Sequence, residues 1–209
     1  MISAREKWQV TAQEPQVLEF LRGLFDSAGV RVTDTGEVFT CSQQEGAITF
    51  EDGIDQDRVD FIVEIDSTQV DRLASEAGTN GFSEIEKYRI LRALLGTPLA
   101  YSASLMNNRL LGNPLLRKAL RVVDVAHIYA QSPSAEEPDE TFTLSLQAGG
   151  WVLDKGIHGK ARRVLTLDLE NALNFHRKTL AFKKSHGVLA TLSYLAWYIP
   201  WRWRVSKRV

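Results

Sequence analysis

The chain has 209 residues, 44% of them hydrophobic and 24% charged, enough apolar side chain to bury the core of one sizeable domain. Its single cysteine, Cys41, excludes an intrachain disulfide and a cysteine-based zinc site. Residues 1–10 carry Arg5, Glu6 and Lys7 where a signal peptide would have an apolar core, so we expect a cytoplasmic protein.

The charge is unevenly distributed along the chain. The formal net charge is only −1, but residues 1–154 hold 13 Lys and Arg against 24 Asp and Glu, whereas residues 155–209 hold 12 against two. Such segregation indicates that the C-terminal quarter faces something anionic. That anion is either an external partner or the acidic body of the chain itself.

A helix over residues 13–28 is the first predicted element, and no internal repeat is evident along the chain. Thr11 to Glu14 has the spacing of a capping box, Pro15 suits a first helical turn, and Gly29 is a natural stop. The apolar residues recur at helical spacing between them: Val17, Phe20, Leu21, Leu24 and Ala28.

Four extended segments follow, at 30–33, 37–42, 47–51 and 58–65, separated by turn residues. The last of them is the clearest strand, because its apolar residues alternate with Asp60 and Glu64. Those apolar residues are Val59, Phe61, Val63 and Ile65. A strand with one buried and one solvent-exposed face predicts antiparallel pairing, with Phe61 and Val63 in the core.

The middle of the chain is predicted to be helical. Helices are expected at 66–77, capped by Asp66 with Gln69, and at 83–95, capped by Ser83 with Glu86. Two more are expected to begin at Thr97-Pro98 and Asn113-Pro114, making four between residues 66 and 130.

Strands return after a polar loop at 131–140. They are expected at 141–147 and 163–169, before a helix at about 170–182. This order predicts an α+β fold: a mainly antiparallel sheet covered by helices, with a leucine-rich helical segment between strands and a helical C-terminal tail. Residues 1–184 are predicted to form one domain and 185–209 the tail.

No motif predicts a catalytic, cofactor or metal site, so an enzyme with a site of scattered residues is only a third alternative. The four histidines, at 127, 158, 176 and 186, lack metal-ligand spacing and are interpreted as structural or solvated. Cys41 is interpreted as a small core residue, and the acids of 51–60 as a solvated turn. The glycines of 155–160 could hold a phosphate among basic neighbours, but a hairpin turn is favoured.

The tail carries the sharpest pattern. It has no charged residue between Lys184 and Arg202, it is interrupted by Gly187 and Pro200, and it ends in alternating aromatic and basic residues. This favours binding at an anionic membrane interface over spanning a membrane. A core helix with a terminal tip is the alternative, and nucleic acid is disfavoured because the acidic body would repel it. The predicted membrane-binding residues are Trp197, Tyr198, Trp201, Arg202, Trp203, Arg204, Lys207 and Arg208.

The order of elements resembles the sterol-carrier-protein-like fold. The similar parts are the strand Val59-Asp60-Phe61-Ile62-Val63-Glu64-Ile65 with the helix entered at Asp66, and the strands 141–147 and 163–169. The resemblance implies an apolar tunnel for acyl chains or sterols, and binding without a reaction. Two features depart from that family: a longer helical segment at 66–130, and no Ser-Lys-Leu ending.

The resulting hypothesis is a non-catalytic protein that binds an apolar, lipid-like molecule and acts at the inner face of a membrane through its tail. The predicted ligand-binding residues are Phe61, Val63, Leu105, Met106, Leu144 and Leu167. The alternative is an adaptor that docks on a membrane protein or enzyme complex and has a solid core. A continuous apolar cavity would distinguish the first from the second.

Overall fold

The structure, a computed structural model, describes residues 2–77, 81–107, 124–147, 150–185 and 187–208. The chain divides into two compact units, Met1–Leu94 and Leu95–Val209, called unit 1 and unit 2 below. The α+β fold class is confirmed, whereas a single domain over 1–184 stays a prediction.

Unit 1 contains four helices and four strands among its described residues. In chain order they are α1 (Ala4–Thr11), α2 (Pro15–Leu21), β1 (Ser27–Val32), β2 (Val38–Gln44), β3 (Ala47–Asp52), β4 (Phe61–Ile65), α3 (Ser67–Ala77) and α4 (Glu84–Leu94).

The predicted helix 13–28 is wrong in its second half. Pro15 does begin α2, but that helix ends at Leu21, and Gly23 takes a positive φ that L-residues avoid. Ala28 is buried because it lies on the inner face of strand β1, not because it continues a helical stripe. The capping box lies earlier than expected, at Ser3 and Glu6, where it starts α1.

The sheet of unit 1 has the order β3-β2-β1-β4. Its first three strands form an antiparallel meander, but β4 runs parallel to β1, so the antiparallel pairing predicted for 58–65 is wrong. Phe61 lies opposite Ala28 and Val63 opposite Val30, on the face that carries the core. Both predicted core residues of β4 are only half-buried, because β4 is an edge strand.

The two helix starts predicted after β4 are confirmed. The carboxylate of Asp66 accepts the backbone N–H of Gln69 at 2.8 Å, and the Gln69 side chain accepts the N–H of Asp66 at 2.9 Å. These two bonds form a capping box at α3. The Ser83 hydroxyl likewise accepts the N–H of Glu86 at 3.2 Å and caps α4.

Unit 2 contains three helices and five strands among its described residues. In chain order they are α5 (Gly96–Asn107), β5 (Val125–Ala130), β6 (Glu140–Gln147), β7 (Gly150–Lys155), β8 (Arg163–Leu167), α6 (Leu169–Lys184), α7 (Val188–Val205) and β9 (Ser206–Arg208). The sequence pattern missed β5, β7 and β9, and the helix predicted at Asn113 lies outside the described residues.

The sheet of unit 2 has the order β7-β6-β5-β8-β9, with β8 parallel to β5 and the other pairs antiparallel. The segment 156–162 therefore crosses over from β7 to β8, and the hairpin turn predicted there is wrong. Apart from the short strand β9, the topology of this sheet is the same as that of unit 1.

The two sheets repeat each other down to single hydrogen bonds. Thr40 Oγ1 donates to the carbonyl of Gly53 at 2.7 Å, and Thr143 Oγ1 donates to the carbonyl of Gly156 at 2.9 Å. Both glycines have positive φ. Residues 39–54 and 142–157 are identical at seven of sixteen positions: Phe, Thr, Ser, Gln, Gly, Gly and Ile. The chain thus contains an internal repeat, contrary to the sequence interpretation.

The helices follow the same repeat. In each unit, a helix before the first strand packs on the third strand, α1 on β3 and α5 on β7. In each unit, a side chain in or just after this helix also donates a hydrogen bond to the third strand, at equivalent positions of the repeat. Gln13 Nε2 donates to the Ile48 carbonyl at 2.8 Å, and Asn107 Nδ2 to the Trp151 carbonyl at 3.0 Å. After the fourth strand, α4 packs on β4 and α7 packs on β8. The C-terminal helix is therefore the second copy of α4.

Candidate functional site

The inner face of the unit 2 sheet encloses a small cavity beneath α7. Apolar side chains from the strands and from α5 and α6 form most of its wall, and α7 closes it. Its volume is about 50 Å³. That volume holds a few water molecules, whereas pockets for lipid-sized ligands measure about 300–1,000 Å³. Its lining includes Leu99, Leu144, Leu167, Phe175, Arg163 and Arg202.

Aromatic stacking holds α7 over this cavity. The ring of Trp201 lies 5.0 Å from that of Phe175 at an interplanar angle of 9°, and Tyr194 stacks on Phe182 at 4.4 Å. The buried hydroxyl of Tyr194 also hydrogen-bonds Thr179 Oγ1 at 2.9 Å. Trp201 is 1% exposed, so this half of α7 belongs to the core of unit 2.

The opposite face of α7 is apolar and exposed. Leu189 is 84% exposed, Leu192 57% and Trp203 53%, and the small or apolar residues between them, Ala196 and Pro200, are exposed as well. We call these five residues the outer face. Their spacing of three or four residues places them on one side of the helix.

Basic residues border the outer face at both ends of α7. Arg204 and Lys207 follow Trp203 and are exposed, and Lys183 and Lys184 end the preceding helix, α6, and are exposed too. Unit 2 as a whole carries 16 Lys and Arg against eight Asp and Glu. An apolar strip between positive charges is therefore presented to the solvent.

The predicted ligand-binding residues do not line one pocket. Leu144 and Leu167 line the cavity of unit 2, whereas Phe61 and Val63 belong to the separate sheet of unit 1. Leu105 and Met106 lie in α5, but their side chains fall outside the described part of the structure. The sequence pattern did not separate these residues into two sheets, because the strands of the two repeats have similar alternation of apolar and polar residues.

The predicted membrane-binding residues divide between the two faces of α7 and its extension. Trp203, Arg204 and Lys207 are exposed, and the side chain of Arg208 lies outside the described residues. Trp201 is buried, Trp197 and Tyr198 are half-buried, and Arg202 lines the cavity. The sequence interpretation missed Leu189 and Leu192, although their helical spacing to Trp203 was visible.

Burial raises the pKa of groups in the cores of both units. In unit 2, desolvation raises the pKa of the Tyr198 hydroxyl, although the charges of Arg202 and Arg163 act in the opposite direction. In unit 1, desolvation raises the pKa of the Cys41 thiol to about 12. Both groups therefore stay neutral at pH 7, and Cys41 is a core residue rather than a nucleophile.

The described residues also contain an acidic hollow and a contact between two histidines. A second hollow of about 400 Å³ is lined in part by Asp139, Asp168 and Glu170, which makes it acidic and unsuited to an apolar ligand. His127 Nε2 contacts the carbonyl of His158 at 3.1 Å and ties the crossover to the sheet. Among the described residues, no cluster of three or more His, Cys, Asp or Glu side chains could hold a metal ion.

Comparisons with protein-family models, curated proteins and solved structures give no match to this chain. Within the described ranges, no helix is both long enough and apolar enough to cross a membrane.

Proposed function

We propose that this protein is a non-catalytic binding protein that associates with an anionic membrane surface through the outer face of α7. The observation that supports the proposal is the exposure of Leu189, Leu192 and Trp203 on one side of a helix whose other side is fixed in the core. Exposed apolar strips of this kind are unusual on a protein that meets only water. The bordering lysines and arginines suit lipid headgroups of opposite charge.

Because α7 is docked on the core of unit 2, its association with a membrane costs less free energy than the insertion of an unfolded tail. The helix is already formed, so no conformational entropy of folding is spent at the interface. Tryptophan prefers the headgroup level, where Trp203 would bury its ring, while the two leucines would enter the acyl boundary. The cavity beneath α7 is too small for an acyl chain or a sterol, so we do not extend the proposal to lipid carriage.

Vesicle sedimentation tests the proposal. Wild-type protein should bind vesicles with anionic lipid and leave them as salt is raised, because the Debye length shortens from about 10 Å at 0.1 M to about 3 Å at 1 M. Replacing Arg204 and Lys207 by Ser should weaken this binding by about 30-fold, at roughly 1 kcal/mol for each charge. Replacing Arg22 and Arg58, exposed residues of unit 1, removes the same charge and should have little effect.

Two further variants test the apolar contribution to vesicle binding. Replacing Leu189, Leu192 and Trp203 by Ser should remove the salt-resistant binding. Replacing Ile2 and Val10, which are 64% and 71% exposed in unit 1, should not. If the wild-type protein does not bind vesicles of any composition, the membrane proposal is wrong. An adaptor that docks this face on a membrane protein is then the better explanation.

A further inference from the structure

The four-stranded sheet of each repeat has two edges, β3 and β4 in unit 1 and β7 and β8 in unit 2. An edge strand directs half of its backbone N–H and C=O groups away from the sheet, where another chain can pair with them. The chain itself bonds such groups at three of these edges. The Gln13 side chain donates to the carbonyl of Ile48 in β3, the Asn107 side chain bonds the N–H and the carbonyl of Trp151 in β7, and strand β9 pairs with β8. The fourth edge is that of β4.

Among the described residues, no strand pairs with the outer edge of β4. The carbonyl of Ile65 accepts the N–H of Thr33 from the β1 side at 2.8 Å, so the backbone groups of Ile62 and Glu64 point the other way. The residue of unit 2 equivalent to Ile62 is Val164, which lies opposite Lys207 of β9. The chain forms β9 directly after α7, but after α4 it enters α5. The repeat of unit 1 is thus one strand shorter than that of unit 2.

The composition of β4 is that of a strand that pairs readily. Its sequence, Phe-Ile-Val-Glu-Ile, is aromatic or β-branched at every position but one, and its apolar residues are only half-buried. Proteins usually protect an exposed edge strand with lysine or proline, and β4 contains neither. An edge of this kind is a template for strand addition.

The charge around β4 indicates what kind of strand would be added. Glu64 is exposed, and Asp60 and Asp66 flank the strand. Glu64 forms an ion pair with Arg31 at 2.9 Å, but unit 1 as a whole holds nine Lys and Arg against 18 Asp and Glu. A second copy of unit 1 would bring the same negative charge to this edge, and like charges repel. Strand β9, which occupies the equivalent edge of unit 2, reads Ser-Lys-Arg. Both observations favour a basic occupant.

We propose that the outer edge of β4 binds an extended, basic segment of a partner protein by strand addition, antiparallel to β4 as β9 is to β8. The backbone groups of Ile62 and Glu64 bond the added strand, and the surrounding carboxylates select lysine and arginine side chains on it. The edge belongs to unit 1, whereas the outer face belongs to unit 2. Failure of this proposal would therefore leave the membrane proposal untouched, and the reverse holds as well.

Fluorescence anisotropy with a labelled heptapeptide of alternating lysine and valine tests the edge in the full-length protein. The peptide should bind saturably, and at least about ten-fold more tightly than the same peptide with N-methylated backbone amides, which keeps the charge but cannot pair as a strand. A peptide of alternating glutamate and valine should bind at least about ten-fold more weakly as well. No binding of the lysine peptide up to millimolar concentration would overturn the proposal. Equal binding of the N-methylated peptide would also overturn it, because charge alone would then explain the attraction.

Three variants locate the binding. Ile62→Pro removes an N–H that points away from β1 and should weaken lysine-peptide binding at least about five-fold. Glu64→Gln should also weaken it, and decides the matter if Ile62→Pro does not fold. Glu51→Gln removes an exposed charge from β3, the other edge of the same sheet, and should have little effect. Wild-type affinity in folded Ile62→Pro or in Glu64→Gln protein would show that the peptide does not bind at β4.

Sedimentation velocity of the wild-type protein and of Ile62→Pro tests the competing occupant, a second copy of the chain. Both should sediment as monomers, since the acidic border of β4 opposes the pairing of two copies. A wild-type dimer that becomes a monomer in Ile62→Pro would overturn the proposal, because the edge would then be closed by the chain itself.

Discussion

Two tryptophans two positions apart in α7 have opposite surroundings. Trp201 is 1% exposed and stacks on Phe175, whereas Trp203 is 53% exposed. Trp201→Ala should therefore lower the free energy of unfolding by about 3–5 kcal/mol, since it opens a void in a packed core. Trp203→Ala should change it by no more than about 0.5 kcal/mol. Urea unfolding followed by circular dichroism measures both, and equal effects would contradict the assignment of the two faces.

Cys41 is a probe of the unit 1 core. It is 2% exposed, and desolvation raises the pKa of its thiol to about 12. Only the thiolate reacts with aromatic disulfide reagents, so at pH 8 the native protein should be labelled far more slowly than the urea-unfolded chain. Labelling at the rate of the unfolded chain, without denaturant, would show that Cys41 is not buried in the core of unit 1.

The helix that follows the fourth strand begins on an aspartate in both units, Asp66 before α3 and Asp168 before α6. The Asp168 carboxylate accepts the backbone N–H of Asn171 at 2.8 Å. Asp168→Ala should therefore destabilise the protein by about 1 kcal/mol, while Asp168→Asn should cost much less because asparagine is an equally good cap. Thermal unfolding of the two variants makes the comparison. An Ala variant as stable as the Asn variant would exclude the cap.

Among the helices and strands, the sequence predicted those whose signals lie in neighbouring residues. Capping residues located the starts of α3 and α4, and alternation located β2, β3, β4, β6 and β8. Pairing between distant strands was not encoded locally, and so the parallel neighbour of β4 and the crossover 156–162 were missed. The sequence pattern predicts helix where strand β5 lies, because the short apolar run of β5 lacks clear alternation.

At the scale of the whole molecule, the repeat explains the principal misinterpretation. The sequence pattern predicts that the C-terminal segment is an appendage, because its composition differs from that of the rest of the chain. In the repeated fold it is the helix that closes the second unit, lengthened from the 11 residues of α4 to 18 in α7. Sequence identity between the copies is concentrated at turn and register positions, such as Gly53 and Gly156, which a scan for apolar periodicity does not weigh.

The candidate sites were only partly predictable for the same reason. Leu144 and Leu167 were correctly placed on an inner sheet face, and the basic, aromatic character of the tail drew attention to the right helix. The sequence could not show which side of that helix is buried, because aromatic residues occur on both sides of it. Nor could the sequence show that Arg163, opposite Ala126, occupies the position that Phe61 occupies in the first repeat, opposite Ala28.

Quenching of tryptophan fluorescence by brominated lipid most directly tests the central claim, that α7 meets a membrane by its outer face while its inner face stays in the core. With anionic vesicles that contain the bromolipid, wild-type fluorescence should be quenched. Trp203→Phe should lose most of that quenching, because Trp203 is the tryptophan on the outer face. Trp201→Phe, which keeps a ring against Phe175, should retain it. Quenching that survives Trp203→Phe and is lost in Trp201→Phe would contradict the account, since it would mean that the helix leaves the core to bind.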